Sequence, residues 1–159
     1  MQVLKNPLSI SNFKDKFRVI YSSQEHLIKH ANLINKAYDK EVSWTDRKLI
    51  VKTDARITKE ELGFSLNQEK NKFFILQDKE TNKFLGCAKI EYAINQPELM
   101  HFSDVPFFTI ELFCIDPDYQ SQGLGKYMLF FAEKVIKLAS VFHLSKTKIF
   151  VYLYKYIFY

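Results

Sequence analysis

The sequence predicts one α+β domain with a mixed, mostly antiparallel sheet flanked by helices. Two apolar strand-like runs joined by a five-residue polar link indicate an antiparallel hairpin, and a third run leads into a long helix and a last strand. The chain has 159 residues, which is enough for one hydrophobic core and too few for two ordinary domains. We therefore place a single domain at residues 17–159, preceded by an N-terminal extension over residues 1–16.

The domain begins with a strand and an amphipathic helix. Phe17–Tyr21 is rich in β-branched and aromatic residues and is the first predicted strand. Ser22 and Glu25 have the spacing of a capping box, and apolar residues follow at helical spacing, at Leu27, Ala31, Ile34 and Tyr38. His26 and His30 lie four apart on this helix, but no third ligand accompanies them, so we expect packing histidines and no metal site.

A second helix, three strands, a long helix and a last strand complete the predicted order. Thr58 and Glu61 have capping-box spacing and begin a short helix. Strands are predicted at Lys72–Asp78, Phe84–Tyr92 and Phe107–Ile115. After Gly125, apolar residues at helical spacing predict a helix to about Ala139, and the alternating aromatic residues of Lys148–Tyr159 predict the final strand.

Composition and charge limit the class of protein and its partners. The net charge of +5 is a modest lysine excess, typical of a solvated surface, and with no basic stripe or stacking motif we do not expect a nucleic-acid partner. No run approaches the roughly 20 apolar residues of a membrane span, and no signal-peptide pattern opens the chain. Cys87 and Cys114 lie in apolar strands, and we expect them to be buried thiols of a protein in a reducing compartment. We expect a cytoplasmic protein, with the nucleus left open.

A short loop with two of the four glycines is the most informative segment. Gln120–Gly125, here called the glycine loop, lies between an acidic proline turn and a helix, so its N–H groups and the helix N-terminus are suited to bind phosphate. A P-loop is excluded because Gln120 and Tyr127 replace its first glycine and its Ser or Thr. A dinucleotide fingerprint is excluded because Met128 replaces its third glycine.

The glycine loop matches the Gln/Arg-x-x-Gly-x-Gly/Ala motif of the GNAT superfamily of N-acetyltransferases. The glutamate-bearing strand, the acidic proline turn and the apolar helix around it strengthen the resemblance, which covers roughly residues 17–153. The resemblance implies a GNAT-like acyl-CoA N-acyltransferase fold with acetyl-CoA as cosubstrate. It implies that the pyrophosphate lies against backbone N–H groups of Gln122, Gly123, Leu124, Gly125 and Lys126, with Gln120 at the first position of the motif.

The resemblance also assigns roles to the strand before the loop. The pantetheine arm would exchange hydrogen bonds with Phe113 and Ile115, and the N–H of Phe113 or Cys114 would polarise the thioester carbonyl. A primary amine would attack acetyl-CoA directly in a ternary complex, with no covalent enzyme intermediate. Cys114 is therefore expected to be a core residue and not a nucleophile.

Glu111 is the candidate general base. Strict alternation would place it on one face of the strand with Thr109, Phe113 and Ile115, and would leave an apolar face that packs on a helix, formed by Phe108, Ile110, Leu112 and Cys114. Glu111 is the only charge in Phe107–Ile115, and an unpaired carboxylate in apolar surroundings suits a proton acceptor. The alternative, left open, is a glutamate that pairs with a neighbouring lysine or orients the substrate.

The segment after the long helix departs from the family pattern. Only 34 residues follow Gly125, so the family's last helix and hairpin are expected to be missing, and a homodimer that completes the sheet is one expected consequence. Tyr152 and Tyr154 are the nearest substitutes for the tyrosine that protonates the leaving thiolate. A catalytically inactive acyl-CoA-binding or interaction module is the alternative function. The amine acceptor, a small molecule or a protein amine, could be attracted by Asp39, Glu41, Trp44 and Asp46.

Overall fold

The computed structural model describes residues 10–39, 56–93 and 107–143. These ranges contain four α-helices and four strands: α1 (Ile10–Lys16), β1 (Phe17–Tyr21), α2 (Leu27–Asp39), α3 (Lys59–Leu66), β2 (Asn71–Asp78), β3 (Phe84–Ala93), β4 (Phe107–Ile115) and α4 (Leu124–His143). A 3-10 turn over Gln24–His26 precedes α2, and another over Pro117–Tyr119 follows β4. The predicted final strand at Lys148–Tyr159 lies outside the described residues.

The four described strands form one antiparallel sheet in the order β1-β2-β3-β4. The polar link after Asp78 joins β2 to β3 as a hairpin, and Asp78 caps it by accepting from the N–H groups of Glu80 and Thr81 at 3.0 and 2.8 Å. The α+β class is confirmed, and so are the predicted positions of the four described strands.

Helices cover both faces of the sheet. The long helix α4 lies on one face and buries residues that recur every four positions, Leu124, Met128, Ala132 and Ile136. Helices α2 and α3 lie on the other face, where Ile34 and Leu62 are fully buried with Ile75 and Cys87. Helix α1, part of the predicted N-terminal extension, adds Phe13 to the α4 side of the core.

The two predicted capping boxes have different outcomes. The box of α3 is confirmed, because Glu61 N–H donates to Thr58 Oγ1 at 3.1 Å and Thr58 N–H donates to the Glu61 carboxylate at 2.8 Å. The box predicted at Ser22 is wrong. Ser22 N–H donates to Phe73 O at 2.9 Å and so continues the sheet, and the helical segment begins one residue later, with Ser23 as its N-cap.

Strand β4 contains a bulge that changes which side chains share a face. Cys87 pairs with Cys114 and Lys89 pairs with Glu111, so Ala88 faces two residues of β4. The inserted residue is Leu112, whose φ of 45° lies in the left-handed region. The strict alternation predicted for β4 is therefore wrong beyond Glu111. Leu112 and Cys114 pack on the α2 side, whereas the α4 side receives Phe108, Ile110, Phe113 and Ile115.

Gly86 of β3 allows the close contact with the end of β4, and this gives a first prediction. A Cβ at this position would lie 2.5 Å from Ile115 Cδ1 and 2.9 Å from Cys114 O. Gly86→Ala should lower the free energy of unfolding by about 1–3 kcal/mol, measured by urea denaturation. Gly63→Ala in α3 is the matched control, because its Cβ has room and alanine favours a helix by up to about 1 kcal/mol. Equal stability of the two variants would contradict the packing described here.

Candidate functional site

The glycine loop presents free backbone donors at the start of α4. Ser121 and Gly123 have φ values of 61° and 82°, which turn the chain sharply before the helix. Tyr127 N–H donates to Gly123 O at 3.1 Å and begins the helical ladder. The preceding N–H groups, those of Leu124, Gly125 and Lys126, therefore have no acceptor inside the helix. Together with the helix dipole they form a site suited to an anion.

The first turn of α4 lies against the end of β4. A Cβ on Gly125 would be 3.8 Å from Ile115 Cγ1 and 3.9 Å from Phe113 Cε1, so the two predicted cofactor-binding segments are adjacent. Gln120 Nε2 donates to Ile115 O at 3.4 Å and closes the loop onto the strand. Of the remaining predicted residues, Gln122 and Gly125 are half-buried, Leu124 is buried in the core, and Lys126 is exposed.

Helix α1 supports the glycine loop from behind. The ring of Phe13 stacks on Tyr127, with centroids 5.3 Å apart and planes 12° apart. A Cβ on Gly123 would lie 3.4 Å from Phe13 Cζ, so the same ring contacts the loop backbone. The N-terminal extension thus packs against the glycine loop, a contact that the sequence did not indicate.

The acidic proline turn is fixed by lysines from two other elements. Asp116 is 2% exposed and accepts from Lys36 Nζ of α2 at 2.6 Å, and Lys83 Nζ lies 3.5 Å from its other oxygen. Lys36 also donates to Asp118 at 2.6 Å. Burial alone would raise the pKa of Asp116, but the hydrogen bond from Lys36 holds it below its usual value. The sequence identified this turn without identifying its partners.

Glu111 is paired with a lysine on the neighbouring strand. Lys89 Nζ donates to Glu111 Oε2 at 2.9 Å, and Thr109 Oγ1 donates to Glu111 Oε1 at 3.2 Å. Burial alone would lower the pKa of Lys89, but its hydrogen bonds to Glu91 and Glu111 raise it above its usual value. The side chain of Glu111 remains 39% exposed. The pairing was detectable in the sequence, because Lys89 and Glu91 are the only charges in β3 and share one face.

The two cysteines contact each other beside the bulge. Their sulfur atoms lie 3.3 Å apart, both residues are buried, and the Cys87 thiol donates to Leu112 O at 3.2 Å. The hydrogen bond with Cys114, together with burial, raises the pKa of the Cys87 thiol well above its usual value. Both cysteines are buried, as the sequence predicted, although the contact between them was not foreseen.

Several predicted residues lie outside the described part of the chain. Tyr152 and Tyr154 are among them, as are Glu41, Trp44 and Asp46; Asp39 is described at the exposed end of α2. Within the described ranges no cluster of three metal-ligating side chains is found. None of the helices described is both long enough and apolar enough to cross a membrane.

Comparison with known sequences identifies the family. A sequence model described as Acetyltransferase (GNAT) family matches residues 32–147. The chain belongs to this family. The GNAT membership inferred from the glycine loop and its surroundings is thus confirmed, and the matched range contains β2–β4, the loop and α4. No curated protein sequence gives a significant match to the GNAT chain.

Solved structures of GNAT acetyltransferases share the fold. A GNAT family acetyltransferase from Staphylococcus aureus is 16% identical, with a TM-score of 0.56 and coverage of 85% of this chain and 86% of that one. An aminoglycoside acetyltransferase from a soil metagenomic sample, in complex with sisomicin, is 18% identical (TM-score 0.57, coverage 87% and 78%). The PaiA N-acetyltransferase from Thermoplasma acidophilum, in complex with coenzyme A, is 14% identical (TM-score 0.58, coverage 79% and 74%).

The buried carboxylate of the acidic turn gives a second prediction. Asp116→Asn keeps the acceptor for Asp118 N–H but removes the charge that Lys36 binds, so it should lower the unfolding free energy by about 1–2 kcal/mol at pH 6. Because the pKa of Asp116 is lowered on folding, its contribution is present above the usual value of 3.8 and is lost as the pH falls through the lower folded value.

The difference in unfolding free energy between the unmodified protein and Asp116→Asn should therefore shrink below about pH 4. It is measured by urea denaturation across pH 2.5–7. Asp118→Asn is the control, because its more exposed ion pair with Lys36 should contribute less than about 1 kcal/mol. A difference that does not change with pH would contradict the assigned ion pair.

Proposed function

We propose that this protein is an acetyl-CoA-dependent N-acetyltransferase that moves the acetyl group to a primary amine by direct attack in a ternary complex. One observation carries the proposal: free N–H groups at the start of α4 lie directly beside the bulged end of β4. An anion site and an open strand end in contact can hold the two parts of coenzyme A, its pyrophosphate and its pantetheine arm. The complex of the Thermoplasma acidophilum relative with coenzyme A supports this choice.

Binding would use the backbone more than side chains. The N–H groups of Gly123, Leu124, Gly125 and Lys126 would hold the pyrophosphate, with Gln120 and Gln122 at the entrance of the loop. Among the described strands β4 pairs only with β3, so its other edge offers N–H and C=O groups to the pantetheine arm. Beside the bulge Phe113 has no partner in the β3–β4 register, which supports its N–H as donor to the thioester oxygen. The N–H of Cys114, which pairs with Cys87, remains the second candidate.

The chemical step then needs a proton acceptor near the thioester. The amine nitrogen would attack the thioester carbon, the C–S bond would break, and the amine proton would pass to Glu111 directly or through water. The exposed fraction of Glu111 supports access for an acceptor from solvent. Tyr152 and Tyr154 remain predictions for the group that protonates the thiolate. The acceptor, a small-molecule or protein amine, and a homodimer that completes the sheet also remain predictions.

A second candidate function follows from the pairing of Glu111. A glutamate that already accepts from Lys89 and Thr109 could serve structure instead of catalysis, and the protein would then be an acyl-CoA-binding or interaction module. Either function fits a cytoplasmic setting, which we also propose. The support for it is that both cysteines are buried in apolar strands and belong to no disulfide framework.

The cofactor assignment gives a third prediction. Gly125→Glu places a carboxylate in the first turn of α4, where the helix dipole tolerates it but a pyrophosphate does not. Affinity for coenzyme A should fall by about tenfold or more, which corresponds to about 1.4 kcal/mol, in a calorimetric titration. Gly125→Ala is the control, because its Cβ has room and the family motif accepts alanine. Equal binding by the two variants would contradict a pyrophosphate at this turn.

The catalytic assignment gives a fourth prediction, which separates the two functions. Glu111→Gln should lower kcat by about 10²–10⁴ and leave coenzyme A affinity unchanged. Release of free thiol from acetyl-CoA is measured with a panel of a polyamine, an aminoglycoside, a peptide with a free N-terminus and a lysine peptide. Glu133→Gln on α4, on the opposite face of the sheet, is the matched control. If coenzyme A binds but no amine in the panel is acetylated, the binding-module function replaces the enzyme.

A further inference from the structure

Four charged side chains form a chain of alternating sign across the face of the sheet covered by α2. Lys70 Nζ lies 2.7 Å from Glu91 Oε1, Lys89 Nζ lies 2.5 Å from Glu91 Oε2, and Lys89 Nζ lies 2.9 Å from Glu111 Oε2. The two inner side chains, Glu91 and Lys89, are 7% and 11% exposed, and the outer two are 49% and 39% exposed. We call this set, Lys70–Glu91–Lys89–Glu111, the charge chain.

The geometry of the charge chain fixes the orientation of Glu111. Lys89 and Glu111 are direct partners in the β3–β4 register, so the lysine reaches its carboxylate across one strand. One carboxylate oxygen accepts from Lys89 and the other from Thr109 Oγ1, which leaves the exposed lone pairs of Glu111 pointing away from both donors. Replacing buried charges with apolar side chains is often neutral or stabilising, so stability alone is a weak reason for this arrangement.

We propose that Lys89 is a positioning residue for Glu111: it orients the carboxylate and places a positive charge beside it, and Glu91 limits this effect by sharing the Lys89 ammonium group. The inference rests on the proposed function, in which Glu111 accepts the amine proton. It adds that Lys89 and the buried Glu91 together determine how readily Glu111 takes a proton.

Within the described ranges, Lys89 and Glu111 have no charged partner outside the charge chain. His30 of α2 is buried, and burial, with a smaller effect of His26, lowers its pKa to about 4, so it is uncharged at neutral pH. Lys36 of α2 is engaged with Asp116, and Asp39 lies at the exposed end of the same helix. Helix α3 approaches through the Ser65 carbonyl and hydroxyl oxygens, which accept from the neutral Asn71 amide.

A direct test follows the protonation of Glu111 without any acceptor. Protein labelled with ¹³C at the glutamate carboxyl carbons is titrated by NMR, and the Glu111 signal is assigned by its loss in Glu111→Gln. In Lys89→Met the midpoint of the Glu111 titration should rise by about one pH unit or more. In Glu91→Gln it should fall, because Lys89 then has Glu111 as its only carboxylate partner in the charge chain. In Lys89→Arg the Glu111 midpoint should stay close to that of the unmodified protein.

Opposite shifts from two neighbouring substitutions distinguish the proposal from a structural role. Lys72→Met removes the same charge from an exposed position of β2 and is the matched control, with an expected shift well below that of Lys89→Met. Amide spectra of each variant report whether it folds, and Glu91→Gln and Lys89→Arg keep the test decisive if Lys89→Met does not fold. The proposal would be overturned if the Glu111 midpoint did not change in Lys89→Met, or if it shifted in the same direction in Lys89→Met and Glu91→Gln.

A kinetic arm separates failure of this inference from failure of the proposed function. With any amine that the panel identifies, the acidic limb of the pH profile of kcat/KM should shift in Lys89→Met by as much as the NMR midpoint. In Lys89→Arg the limb should lie at the pH found for the unmodified protein. KM for acetyl-CoA should stay constant in both variants. If the unmodified protein acetylates nothing, the proposed function fails, but the titration still decides the role of Lys89. If acetylation occurs and Lys89→Met leaves the limb in place, the inference alone fails.

Discussion

The bulge at Leu112 is the constraint on which the rest of the site depends. An antiparallel strand presents alternate side chains to its two faces, and a single extra residue reverses that assignment for every residue beyond it. Here the reversal sends Phe113 and Ile115 toward α4 and leaves Leu112 and Cys114 facing α2. With strict alternation, the side chains of Phe113 and Ile115 would not face the first turn of α4, where Gly125 now approaches them. Gly86, which approaches Cys114 and Ile115 closely, and the Cys87 thiol, which binds Leu112 O, both maintain this local geometry.

The acidic turn and the glycine loop are held by elements from both sides of the sheet. On one side α2 sends Lys36 to the acidic turn, and on the other α1 packs Phe13 against Gly123 and Tyr127. A backbone site requires this support because its donors are fixed by the path of the main chain and cannot adjust as side chains do. Binding of the proposed pyrophosphate by preformed N–H groups would lose little conformational entropy, which lowers the cost of association. The N-terminal extension, which precedes the range of the family match, therefore contributes to the shape of the predicted cofactor site.

The four described strands, the two longest helices (α2 and α4) and the glycine loop were predictable because each depends on local sequence. Thr58 with Glu61 determines a helix start, Pro117 ends a strand, and the glycines mark the loop. The start of α2 was misplaced at Ser22 because a backbone hydrogen bond to Phe73, distant in sequence, continues the sheet by one residue. The bulge was missed because Leu112 is a poor residue for a left-handed conformation and carries no local signal. The pairing of Asp116 with Lys36 required the packing of α2 across the sheet, which no spacing rule supplies.

The charge chain illustrates why a useful proton acceptor needs more than an isolated carboxylate. A glutamate alone in apolar surroundings takes a proton readily and would be neutral, and hence inactive as a base, over part of the working pH range. A glutamate bound to a fully available lysine stays ionised but accepts a proton reluctantly. Glu111 corresponds to neither case, because Lys89 divides its ammonium group between Glu111 and Glu91, and Lys70 forms a second ion pair with Glu91. The cost of burying Lys89 and Glu91 is therefore explained if the arrangement serves the reactivity of Glu111, since an apolar pair in β3 would stabilise the sheet as well.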